Sequence, residues 1–213
     1  KISDAALKQQ DSFMPQEVAN FLWAYAANGQ IDEQMFKSWE LVAASLVSQF
    51  SEQNLANIAW AYAVANAHAP TLFNGDFINA ISLKEDKFAS EDVSQLHQWQ
   101  LWQRELGLEV RLPSSLEEKC YKAFVSEAPR PSALQDDVVS SLHSIGLEPD
   151  EEVLTASGYR IDATVDVNGV KVAVEVDGPR HFVGREPTGS TILKHRQVTN
   201  LDGMLLVSVP YWE

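Results

Sequence analysis

RIDATVDVNGVKVAVEVDGPRHF, residues 160–182, is where the period of this chain changes from helix to strand. Tyr159, Ile161, Ala163 and Val165 alternate with Arg160, Asp162, Thr164 and Asp166, the period-two pattern of a half-buried strand. Asn168-Gly169 then predicts a hairpin turn, because both residues tolerate the positive φ that a two-residue turn demands. Val170 to Val176 is a near-continuous apolar run, as in a central strand covered on both faces. A Gly- and Pro-rich loop follows, then an amphipathic helix from Thr191 to about Leu201, then a strand over Leu205–Val209. Upstream, Ser132 is placed to cap a helix whose apolar face is Val138, Val139, Leu142 and Ile145, and Gly146 stops it. The order α-β-β-loop-α-β predicts a small α/β domain over 135–213.

The first half reads differently. MPQEVANFLWAYA (14–26) and SEQNLANIAWAYA (51–63) repeat at 60 − 23 = 37 residues, with Phe13 and Phe50 at the same spacing. A period of this size indicates stacked helical units. In the first unit Val18, Phe21, Leu22, Tyr25 and Ala26 recur at helical spacing, Asn28-Gly29 ends the helix, and Met35, Phe36, Trp39, Val42, Ala43 and Leu46 carry a second one. In the second unit Ala69-Pro70 makes the break, and Leu72, Phe73, Phe77 and Ile81 continue. A degenerate third unit starts at Phe88, where Leu96-His97-Gln98-Trp99 replaces the WAYA core. The units lie near 13–49, 50–87 and 88–112, within a helical region over 1–125 that ends in a helix at about 115–125. A linker at 126–134, centred on Ser126-Glu-Ala-Pro-Arg-Pro-Ser132, precedes the α/β domain. Trp23, Trp60, Tyr25 and Tyr62 are expected as core aromatics at the helix–helix seam.

Composition bounds the function. No apolar run approaches the ~18–20 residues of a membrane span, and KISDAALKQQDSF has no secretory h-region. A start at Lys1 reads as a processed or partial chain. The single Cys120 excludes an internal disulfide framework and a cysteine zinc site, and fits a reducing compartment. A net charge of -14 argues against a general polyanion binder. Within 180–196, however, Arg180, Arg185, Lys194 and Arg196 face only Glu186, with His181 and His195 alongside. That local basic patch is compatible with selective RNA contact and equally with an acidic protein surface.

The repeat, through its Asn-x-x-Trp-Ala-Tyr-Ala core, resembles octotricopeptide repeats, the helical pairs of organellar RNA-handling proteins. The C-terminal segment resembles a RAP domain. The matching residues are Ile161-Asp162, the block Val174-Glu175-Val176-Asp177-Gly178-Pro179-x-His181-Phe182, Gly189, Thr191 and Lys194, and Val209-Pro210-Tyr211-Trp212. RAP domains characteristically close proteins that bear such repeats, and they resemble very short patch repair endonucleases. The resemblance implies a short α-solenoid followed by a small α/β domain of restriction-endonuclease-like type. It also implies an organellar RNA-binding protein in a ribonucleoprotein assembly such as the organelle ribosome or its RNA-processing machinery. RNA and neighbouring proteins are the expected partners and the mitochondrial matrix the expected compartment, with the plastid stroma as the alternative.

The nuclease pattern places a metal on a strand Asp and a following Glu, with a Lys two residues later. Asp162 and Glu175 fall at the two acidic positions, but Asp177 stands where the lysine is expected. A cutting site would therefore consist of Asp162, Glu175 and Asp177 as ligands for magnesium, with Lys194 brought in from the helix. The alternative for Glu175 is a carboxylate paired with Arg160 or Lys194, and for Asp177 a strand-ending turn. The balance favours binding without catalysis or a resident cofactor. The expected RNA contacts are Arg180, His181, Arg185, Lys194, His195 and Arg196, and Tyr211-Trp212 are expected to pack under the sheet. The rival readings are a metal-dependent endoribonuclease and an acidic protein-interaction scaffold.

Overall fold

Three helices begin alike in the first half of the computed structural model, which describes residues 13–126, 128 and 132–213. They are α1 (Pro15–Ala27), α3 (Glu52–Ala65) and α5 (Ser90–Glu105), and α1 packs on α3 and α3 on α5. Each is closed at its start by the residue at its third position. Glu17, Asn54 and Asp92 accept the N–H of Met14, Ser51 and Ala89 at 2.8, 3.2 and 3.0 Å, the return half of a capping box. Phe13, Phe50 and Phe88 precede these caps, with Val18, Leu55 and Val93 at the matching staple positions. At the other end Gly29 and Asn66, 66 − 29 = 37 residues apart, take positive φ of 68° and 52°. There Gln30 and Ala67 donate back to the carbonyls of Tyr25 and Tyr62. The degenerate α5 ends later, at Gly107, where Leu108 N–H reaches the Gln103 carbonyl. The caps thus repeat where the WAYA core does not.

The intervening helices are α2 (Glu33–Leu46) and α4 (Gly75–Ser82), started by Asp32 and Asn74. Helix α3 is buried on every side from Asn54 to Ala65, which its run of alanines permits by letting neighbours approach closely. Truncating a core side chain there, Leu55 for example, costs on the order of 2–5 kcal/mol. Tyr62 is fully buried and donates to the Phe36 carbonyl at 2.8 Å, edge-on to Phe36 and Phe73. Burial pushes its phenol far above the usual range. Trp60 is buried as expected, whereas Trp23 keeps 39% of its surface exposed. Helix α6 (Ser114–Val125) buries Leu116 and Cys120, and burial raises the Cys120 thiol to about 12, an inert thiol. No helix among the described residues is long and apolar enough to cross a membrane.

The chain divides into two compact units between Ala123 and Phe124. Of the expected linker over 126–134, residues 127 and 129–131 lie outside the described residues, and Ala133 and Leu134 already belong to the helix that follows. In the second unit, helix α7 (Ala133–Ser144) is capped by Ser132 and followed by Gly146 at φ 84°. The strands of the sheet are β1 (Asp150–Leu154), β2 (Arg160–Val167), β3 (Val170–Asp177) and β6 (Leu205–Pro210), in the order β1-β2-β3-β6. The first two pairings are antiparallel, with Asn168 and Gly169 both at positive φ in the β2–β3 turn. Strand β6 joins β3 in parallel after a crossover. The crossover holds a short hairpin, β4 (Phe182–Val183) with β5 (Glu186–Pro187), and helix α8 (Gly189–Asp202). The unit is therefore a small mixed sheet with helices.

Alternation assigns the two faces of this sheet. Ala163, Val165, Val172 and Val174 pack with Val139, Val138 and Leu142 of α7. Asp162, Thr164, Glu175 and Asp177 project to the other face, toward α8, whose Lys194 reaches Glu175. Two elements were not foreseen. The small β4–β5 hairpin lies in the loop, and β1 reads DEEVL, an acidic stretch without alternation that pairs to β2 and whose Glu152 accepts from Gln135 of α7 at 3.0 Å.

Candidate functional site

Strand register builds the site. Ala163 pairs with Val174, so one step along Asp162 lies opposite Glu175, and Asp177 follows two residues later on the same face. The parallel partner β6 sets Ser208 beside Glu175 and Pro210 beside Asp177. Helix α8 then brings Lys194 and His195 over the carboxylates. Asp162, Glu175, Asp177, Lys194 and His195 thus meet in one place, joined by His181 from the loop.

Each acidic group has a distinct environment. Asp162 Oδ2 accepts the Val176 N–H at 2.7 Å, tying β2 to the end of β3. Burial raises the Asp162 carboxyl above its ordinary value, against the pull of that bond and of Lys194. Glu175, 2% exposed, receives Lys194 Nζ on Oε2 at 2.5 Å, while Oε1 is buried without a hydrogen-bond partner. Burial pushes Glu175 up to about 7 even though Lys194 opposes it. Asp177 is as deeply buried but moves the other way. Burial pushes it up, and contacts from His195, Ser208 and His181 outweigh that and hold it below the usual range. Ser208 Oγ donates to its Oδ2, and His181 Nδ1 lies 3.1 Å from Oδ1. His195 Nε2 stands 3.4 Å from Oδ2, within ion-pair range but off the line of a hydrogen bond.

The expected RNA contacts separate into two groups. Lys194 and His195 turn inward to Glu175 and Asp177. His181 is also engaged: its Nδ1 is 3.1 Å from Thr191 Oγ1, and its carbonyl accepts the Thr188 N–H at 2.8 Å. Arg196 is half-buried on α8. Arg180 and Arg185 are exposed, and the Arg185 guanidinium lies 5.6 Å from the Trp212 ring centre, a cation–π distance. Trp212 packs against Phe182 at 4.5 Å and Tyr211 at 5.0 Å. Rather than packing under the sheet as expected, these rings gather at the carboxyl ends of β3 and β6, where Tyr211 N–H bonds the Asp177 carbonyl and 42% of Tyr211 is exposed.

No protein-family model matches the chain, and no curated protein matches it. Among the described residues, no group of three or more His, Cys, Asp and Glu side chains is arranged to share a metal ion. Asp162 Oδ2, Glu175 Oε2 and both Asp177 oxygens are instead engaged by Val176, Lys194, Ser208 and the two histidines. Sequence reasoning missed Ser208, which no local pattern marks, and singled out Thr191 by resemblance alone without a role in this network. Both are short hydroxyl residues that the crossover alone carries to Asp177 and His181.

Proposed function

We propose that this chain is an RNA-contacting, non-cutting component of an organellar ribonucleoprotein assembly. In this reading it combines octotricopeptide-like helical pairs stacked as a short solenoid with a RAP-type unit of restriction-endonuclease-like connectivity. The observation that carries the reading is the division of the polar residues. Glu175 and Asp177 are buried, Asp162 is half-buried, and all three are engaged from within, while Arg180 and Arg185 stand exposed and Arg185 lies over Trp212. A metal-dependent nuclease needs carboxylates that a phosphodiester and its ion can reach together. Here a divalent ion would have to displace the Lys194 ammonium, which already supplies positive charge to Asp162 and Glu175. Arginine with aromatic rings is the combination that holds unpaired bases, through stacking and phosphate contact.

The test is binding of single-stranded RNA to the full chain, with crosslinks mapped by residue. Crosslinks at 180–185 and 211–212 that weaken in Arg180→Ala/Arg185→Ala support the reading. Protein-only association, with no RNA crosslink at any salt concentration, points to the scaffold. The convergence of Asp162, Glu175 and Lys194 favours one second reading, a magnesium-dependent endoribonuclease. Magnesium-dependent cleavage lost in Asp162→Ala and Glu175→Ala would establish it. Thermal stability separates the two readings independently, because a resident-ion site gains stability with added magnesium by mass action.

A further inference from the structure

In the helical unit, the segment after α5 folds beside the loop after α3 and leaves a cavity of about 430 Å³, within the size range of small-molecule sites. Pro70, Phe73, Leu108 and Val110 line it with apolar surface, and the exposed residues His68 and Glu109 complete the lining together with Gln103. Gln103 is fully buried, and neither its Nε2 nor its Oε1 has a hydrogen-bond partner. Buried amides are nearly always paired, so a glutamine with both ends unspent at a cavity needs an explanation.

One turn earlier on the same helix, Gln100 uses the identical group fully. Its Nε2 donates to the Val110 carbonyl at 3.3 Å and its Oε1 accepts the Leu112 N–H at 2.7 Å. That is a two-point pairing with the polar edge of the main chain. Gln103 offers the same donor and acceptor with nothing to receive them.

We propose that this cavity binds a small, uncharged, planar molecule carrying a donor and an acceptor side by side on one edge, as a lactam or carboxamide does. Gln103 pairs with that edge, and Phe73 with its apolar neighbours covers the ring. No lysine or arginine lines the cavity and Glu109 does, so a phosphate or carboxylate on the ligand would be uncompensated. The site lies in a different unit from Arg180 and Arg185 and does not depend on RNA contact there.

The experiment titrates the full chain with uridine, with nicotinamide and with uridine 5′-monophosphate. It follows the Gln103 side-chain NH₂ signal by NMR and tryptophan fluorescence, since Phe73 lies 5.5 and 5.9 Å from the rings of Trp99 and Trp102. Uridine or nicotinamide should shift the Gln103 signal at up to ~1 mM, and Gln103→Met should weaken that binding by roughly tenfold. Gln103→Met should also melt no lower than wild type, because methionine fills the space without leaving polar atoms unpaired. The proposal is overturned if neither neutral probe moves the signal, or if the monophosphate binds as tightly as uridine. A clear loss of stability in Gln103→Met overturns it too, since the amide would then be structural.

Discussion

Replacing Glu175 with glutamine should change how the stability of this protein depends on pH, and the structure sets both sign and size. In the unfolded chain Glu175 releases its proton near the ordinary value of 4.5; in the folded protein, burial beneath α8 delays release to about 7. Between those limits the folded state holds a proton that the unfolded state has lost. Stability from this group is therefore present below 4.5 and falls as pH rises through about 7. At about 1.4 kcal/mol for each pH unit, the span amounts to roughly 3 kcal/mol. Glu175→Gln keeps the shape and removes the titration. Asp162, raised by burial, contributes with the same sign, and Asp177, held low, with the opposite one. Both are common to the two proteins and drop out of the difference to first order. Urea unfolding of wild type and Glu175→Gln from pH 4 to 8 gives that difference directly. The variant should gain on wild type by roughly 3 kcal/mol across the window. Parallel profiles would refute the reasoning, because Glu175 would then ionise alike in both states.

Three further outcomes follow from the same structure. Lys194→Met should cost about 3–5 kcal/mol at pH 8, where it strands a buried charge, and less at pH 6, where Glu175 takes a proton; unfolding at the two pH values checks this. Tyr62→Phe removes a buried hydrogen bond to the Phe36 carbonyl and should lower stability by about 1–3 kcal/mol, read by thermal unfolding. Asn74→Ala removes the side chain that accepts from the Asp76 and Phe77 N–H groups and should cost about 1 kcal/mol, read by chemical denaturation.

Much of the architecture was legible along the chain, because the signals that set it are local. The 37-residue offset marked α1 and α3, and the conformational freedom of Gly29 and Asn66 ended both helices in the same way. The caps extend the pattern: Glu17, Asn54 and Asp92 differ chemically yet perform one task, which identity alone conceals. Alternation placed β2, the Asn168-Gly169 turn forced the hairpin, and the apolar run of β3 required cover on both sides. Strand β1 was missed because Asp150–Leu154 lacks alternation, and Glu152 holds a positive φ of 53°; its support is tertiary, from pairing with β2 and from Gln135 of α7.

What the sequence by itself determined, then, is which residues lie on β2, β3 and α8, and so which acidic and basic groups could meet. Only the tertiary structure decided what they do on meeting. The hairpin register put Asp162 opposite Glu175, the parallel crossover delivered Ser208 to Asp177, and the seating of α8 turned Lys194 and His195 inward. A lysine in a basic run looks like a phosphate contact until its helix is packed. Once buried carboxylates lie within reach, their desolvation makes pairing with the nearest cation more favourable than leaving that cation to solvent. Arg180 and Arg185 escape this because they sit on the loop and hairpin beyond the strand ends.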